Sequence, residues 1–159
     1  MANYIYPAPG VAGVEATLAL EIAADATNDS LAIPSLQDIT VNAANDVFTW
    51  TQLDSSSKKQ IATTATNSLS MNLVLDQTSF FGDGVSGAGT ASLKGIFGMS
   101  NDKDLVDFSL YLGDESDGSA GKTLTGSGYI TGLAPTVSAD SPVWVSPITI
   151  TVDGDYTVA

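Results

Sequence analysis

Histidine, cysteine and arginine are all missing from these 159 residues, and lysine occurs only at positions 58, 59, 94, 103 and 122. Each absence closes a class of function. Without histidine, no side chain has an ordinary pKa near neutrality, so the usual general base and metal ligand is lost. Without cysteine there is no disulfide framework and no thiolate zinc site, and the redox compartment leaves no trace. Without arginine there is no bidentate fork for phosphate or carboxylate. No apolar run approaches the ~20 residues that span a bilayer. Met1–Gly10 has neither the basic nor the apolar stretch of a secretory leader. What remains predicts a soluble, cytoplasmically made protein, with no membrane partner, that works by shape and assembly rather than by turnover.

The chain does carry 18 acidic residues, for a net charge of −13. That balance argues against gripping nucleic acid, because affinity for phosphates comes from lysine and arginine displacing counterions. The bland account is solubility. Only Glu15, Glu21 and Glu115 are glutamate. The rest are aspartate, a turn and strand-end residue rather than a helix former. Composition leans towards β, in one domain spanning 1–159.

Period-two alternation supports this. In Val14–Ile22 the positions Val14, Ala16, Leu18, Leu20 and Ile22 are apolar against Glu15, Thr17 and Glu21. Leu69, Met71, Leu73 and Leu75 alternate with Ser70, Asn72 and Val74, and Val106, Phe108, Leu110 and Leu112 with Asp107, Ser109 and Tyr111. Strands are also predicted at Gln37–Val41, Val47–Leu53, Thr123–Leu133 and Val143–Val152, with a short last one at Tyr156–Val158 after a tight turn at Asp153-Gly-Asp155. Residues 54–67 are expected to be a long hairpin loop, either mobile or an arm meeting a neighbouring molecule. Phe80–Gly89 reads as a glycine-rich turn. Thr90–Gly98 is the one expected helix, with Thr90 as N-cap, Leu93, Ile96 and Phe97 buried, and Gly98 as the stop. The predicted architecture is an antiparallel β-sandwich or partial barrel with one short helix.

Candidate chemistry is thin. Gly118-Ser-Ala-Gly-Lys-Thr123 imitates a phosphate-binding loop, but Ser116 stands where the pattern needs glycine, and strand rather than helix follows. Asp114, Glu115 and Asp117 are oxygen ligands suited to calcium but lack the EF-hand spacing, so a solvated acidic turn is the better account. Paired carboxylates carry no specificity in so acidic a chain. Asn28-Asp-Ser30 matches a glycosylation sequon by chance. No catalytic residue, cofactor or metal site is predicted. Trp50, Trp144, Phe48 and Phe108 read as core aromatics. Val143–Val152 is apolar on both faces, which points to packing against another subunit.

The closing third, Gly126-Ser-Gly-Tyr-Ile-Thr-Gly-Leu133, then Ser141-Pro-Val143 and Ile148-Thr-Ile-Thr-Val-Asp-Gly154, resembles the last strands of bacteriophage major tail tube proteins. The remainder fits that family in element order. The resemblance implies a structural virion protein whose subunits form stacked, six-membered rings, their sheets completed by neighbours into one inner barrel, which removes the edge-strand liability. It implies homo-oligomerisation, partners at the tube ends (tail terminator, baseplate or tip proteins), and DNA passing through without specific binding. The N-terminal arm at 1–13, with Tyr4 and Tyr6, and the long loop with Lys58 and Lys59 are then expected to contact the next ring. Rival expectations are a capsid decoration protein, another virion structural protein, or a β-sandwich adhesin or carbohydrate-binding module.

The acidity gains a reason under that resemblance. A conduit for DNA should repel phosphates, over a range of ~8 Å at ~0.15 M salt. Outward positions Thr49, Thr51, Ser70, Asn72, Asp107 and Ser109 are the expected lumen lining.

Overall fold

The alternation seen in the sequence sets the strands directly. The computed structural model describes residues 16–34, 36–84, 86–112 and 122–159. Among them run β1 (Ala16–Ile22), β2 (Leu31–Ile33), β3 (Leu36–Thr51), β4 (Lys58–Val74), α1 (Gln77–Phe81), α2 (Ala91–Asp102), β5 (Leu105–Leu112), β6 (Lys122–Leu133), β7 (Thr136–Ser138), β8 (Ser141–Val152) and β9 (Thr157–Val158). The fold is mainly β and antiparallel, as expected. Hydrogen bonding is continuous across one sheet in the order β2-β1-β5-β6-β8-β4-β3, with β7 on β8 and β9 on β6.

One face of that sheet supplies the core. Leu18 and Leu20 of β1, Phe108 and Leu110 of β5, Ile148 and Ile150 of β8 and Leu69 and Leu73 of β4 are all buried in a single cluster. Each such side chain contributes about 1.5–3 kcal/mol when fully buried. The helices pack only at one side, α2 on β1, β2 and β6 and α1 on β2. Leu69 and Ile150, on β4 and β8, are fully buried in the same cluster.

The glycines of β6 permit close packing against its neighbours. A Cβ on Gly126 would stand 2.7 Å from the Phe108 ring, and one on Gly128 would run into the Thr151 carbonyl oxygen of β8. The spacing noted in the sequence is therefore a close strand approach.

Several expectations are corrected. Gln37–Val41 and Val47–Leu53 belong to the single strand β3, because Asn42–Asn45, poor strand formers alone, pair with Ala65–Ser68 of β4. Residues 54–67 are not a loop throughout. Lys58–Asn67 are strand, and the connection is 52–57. Phe80 and Phe81 end a short helix, capped where the Ser79 N–H donates to Asp76 at 3.0 Å.

The second helix runs past Gly98 to Asp102 and ends at Lys103 in a left-handed conformation (φ 58°). It is broken at Gly95, so Leu93 and Phe97 turn outward while Ile96 and Met99 are buried. Thr90 makes no side-chain cap bond. Asp29, from the β1–β2 connection, takes that role by accepting from the Ser92 N–H (2.8 Å) and hydroxyl (3.0 Å). These bonds hold its carboxyl below the ordinary value, the Ser92 N–H foremost.

Asp153-Gly-Asp155 does not close a hairpin between neighbours. β8 pairs with β6 up to Gly128–Val152, and β9 resumes on the same side of β6 at Thr125–Thr157. The three residues are an outward jog in one line of pairing, pinned by the Asp153 N–H to Ser127 O at 2.7 Å. Of the expected core aromatics only Phe108 is buried; Phe48 is 59% exposed, Trp144 51% and Trp50 half-buried. Strand β6 occupies the stretch that a phosphate-binding loop would open as helix. The acidic run Asp114–Asp117 and the arm at 1–13, with Tyr4 and Tyr6, lie outside the described residues.

Candidate assembly surfaces

The back of the sheet is a continuous polar face. Register places Asp107 between Glu21 and Ser127, and Ser109 between Ala19 and Thr125. Across the sheet Tyr129 faces Thr151, which faces Ser68, and Ser70 sits between Thr149 and Thr40. Thr49 and Thr51 lie opposite Gln60 and Lys58, beyond a bulge that adds one residue to β4; counted along β3 from Thr40, they fall on the opposite face. Four of the six expected lining residues, Ser70, Asn72, Asp107 and Ser109, therefore lie on this face, and Thr49 and Thr51 do not. They are not gathered at one spot: β5 and β4 are separated by β6 and β8, about 14 Å across the sheet.

This face is richer in hydroxyls than in charge. The sequence reading missed Thr125, Ser127, Thr149 and Thr151, which lie between the positions it chose. Its charges in the body of the sheet are Glu21, Asp38 and Asp107, with no lysine among the described residues there. Asp38 accepts from the backbone (3.2 Å) and Nδ2 (3.0 Å) of Asn72, and Ser127 donates its hydroxyl to Asp107. Glu21 and Asp107 are direct cross-strand partners, a like-charge pairing that costs stability. Among the described residues no three acidic side chains gather as a cation site.

The second surface is the arm. Pairing of β4 with β8 ends at Ser68–Thr151, so among the described residues β3 and β4 pair only with each other from Ala43 to Asn67. The ribbon projects about 30 Å. Phe48 and Trp50 stack with ring centroids 5.9 Å apart. Opposite them lie Ile61 and Lys59, and counted along β3 these aromatics continue the side of Thr40 and Asn42, so the polar face runs out into an apolar patch on the arm. Phe48 and Ile61 are more than half exposed, and Lys58 and Lys59 sit exposed at the far end. A lone two-stranded hairpin is marginal in water, and among the described residues the outer edge of β3 has no partner along its 16 residues. An open edge of that length is a template for another chain.

The helical corner is held by a buried lysine and two carboxylates. Lys94, 3% exposed, bonds Asp104 at 2.6 Å and Asp102 at 3.1 Å. Burial alone would pull its ammonium down, but the two carboxylates outweigh it and raise the pKa. Asp102 is held below its ordinary value by the Gly87 N–H and then by Lys94 and Ser86. Beside this clamp Phe81, Leu93 and Phe97 are exposed.

No protein-family model matches the chain, and no curated protein matches it. Solved structures do. A chain of the SPP1 tail tube aligns with a TM-score of 0.67 at 11% identity, over 92% of this chain and 77% of that one. A chain from the tail of an empty GTA particle with C6 symmetry aligns at 0.63 and 13%, covering 89% and 95%. One from the 6-fold symmetrised baseplate of the anti-feeding prophage aligns at 0.62 and 13%, covering 97% of each. At such identities the likeness is one of fold, and the fold of this chain is that of the phage-type tail tube.

Proposed function

We propose that this chain is a structural, non-enzymatic subunit of a phage-type tail tube. Copies close into rings, six to a ring by analogy with the C6 and 6-fold particles that share its fold, and the rings stack into a hollow tube in the virion tail. The observation that carries this reading is the unsealed sheet: among the described residues, an open β3 edge and an exposed aromatic arm, in a fold matched over nearly its whole length. A neighbour's edge would satisfy the free backbone groups, as ring closure requires.

In this reading the hydroxyl-rich back of the sheet faces the channel, with Ser70, Asn72, Asp107 and Ser109 among its lining. Hydroxyls and sparse carboxylates offer the duplex no cation to hold, so DNA slides past without specific binding. Lys58 and Lys59 at the arm's end, with Tyr4 and Tyr6 of the N-terminal arm, contact the next ring. Terminator, baseplate or tip proteins close the ends.

The test is negative-stain microscopy with sedimentation velocity on the purified chain across a range of concentrations. Rings or tubes that grow with concentration are expected. Single particles at every concentration, as a decoration protein or a binding module would give, overturn the reading.

A further inference from the structure

The end of the chain returns to the point where the arm leaves the sheet. The Tyr156 hydroxyl lies 2.7 Å from the Asn42 carbonyl oxygen on β3 and 2.9 Å from that of Ser68 on β4. Asn42 and Ser68 are register partners at the arm's root. One phenolic proton is thus shared between the two strands just where they stop being supported by β8. On the next rung Asn67, 5% exposed, donates through Nδ2 to the Gly154 carbonyl at 2.8 Å. The Tyr156 ring stands edge-on to Phe108 of the core, centroids 6.2 Å apart.

The bracing segment is itself anchored. β9 pairs with β6, and Ala159 and Thr123 exchange two backbone hydrogen bonds of 2.9 and 3.0 Å. Just beyond the brace, the register of β3 on β4 shifts between Asn45 and Val47. A bulge of this kind bends and twists a ribbon locally.

We propose that Tyr156 and Asn67 are positioning residues for the arm. The outward jog at 153–155 carries the C-terminal segment to the arm's root, and the segment fixes the direction in which the ribbon projects before anything docks on it. An arm ordered in advance loses less entropy on docking than one that swings. This inference concerns the single chain and stands apart from the tube reading, which it extends by giving the arm a preset direction.

The test is backbone hydrogen exchange on the dilute full-length chain. Tyr156→Phe keeps the ring against Phe108 and removes only the hydroxyl. Exchange across residues 43–66 is expected to quicken by about tenfold, the scale of one or two lost hydrogen bonds, while β1 and β5 change less and the thermal midpoint falls by no more than roughly 3–6 °C. Asn67→Ala, on the other strand, is expected to act in the same direction. In a Trp144→Phe background Trp50 is the sole tryptophan, and its anisotropy is expected to decay faster once Tyr156→Phe is added. Unchanged arm exchange in both variants overturns the proposal, and so does a rise spread evenly over all strands. Failure to form rings in a chain whose arm is braced would instead count against the tube.

Discussion

Gly82 and Gly95 meet backbone to backbone at the crossing of α1 and α2. A Cβ on either would come within 2.5 Å of the other helix's backbone, at Leu93 O from Gly82 and at Gly82 N from Gly95. Both have positive φ, 57° and 65°, with ψ near the extended limit, a region only glycine occupies without strain. The break at Gly95 lets Phe80 and Ile96 be buried together under the sheet's edge.

Alanine at either position is therefore expected to cost at least about 2 kcal/mol, since strain and clash add. In thermal unfolding that is a drop of roughly 4–8 °C for a chain of this size. Gly84 also has positive φ (72°) but nothing within 4 Å of its missing Cβ. Gly84→Ala should cost only about 1 kcal/mol of strain. Equal losses at 84 and 95 would show that backbone contact is not the cause.

The β6 glycines make a second pair. Gly128→Ala would press on the β8 backbone, whereas at Gly132 the nearest atom, Thr149 Oγ1, is at an ordinary 3.4 Å. Chemical denaturation should show about 2–3 kcal/mol lost at Gly128 and less than about 1 kcal/mol at Gly132.

Lys94→Met leaves Asp102 and Asp104 facing each other without their cation. A loss of about 3 kcal/mol is expected, the low end for breaking a buried pair, because both carboxylates keep some water. The pH dependence has a definite sign. The raised Lys94 pKa gives stability that is complete below lysine's ordinary 10.5 and fades as pH rises through the folded value. The lowered Asp102 pKa gives stability present above the ordinary 3.8 and lost as pH falls through the folded value. Melting curves of Lys94→Met should lose the alkaline limb of this dependence.

On the polar face, Asp107→Lys with Ser109→Lys places two cations on an exposed or half-exposed strand surface. Little change in stability is expected. If the face lines the channel, tubes of this variant should release DNA more slowly, most visibly at low salt. Release at the normal rate tells against the lining.

What the sequence made legible follows from where the alternation is apolar. Leu18–Leu20, Leu69–Leu73 and Val106–Leu110 declare their buried face by residue type alone, and because pleat parity is strict, the lining candidates on their other face were placed on a common side. The arm was offered by the sequence, but its strands were hidden. Ala62–Thr66 and Asn42–Asn45 mix alanines with polar residues without a period of two, so only their pairing with each other makes them strand. The α2 cap was hidden for a different reason: Asp29 reaches Ser92 across 63 residues, whereas cap signals are sought locally. Tyr156 looked like part of a last strand, and its bonds to Asn42 and Ser68 depend on a jog that resembles a hairpin turn in sequence.

A cryo-electron microscopy reconstruction of the assembled protein tests the central claim most directly, because it shows what seals the β3 edge and which way the hydroxyl face points. The account predicts stacked rings in which β3 pairs with the neighbouring copy and Ser70, Asp107 and Ser109 line the bore. Isolated copies with that edge left bare, or rings that turn the hydroxyl face outward, would contradict it.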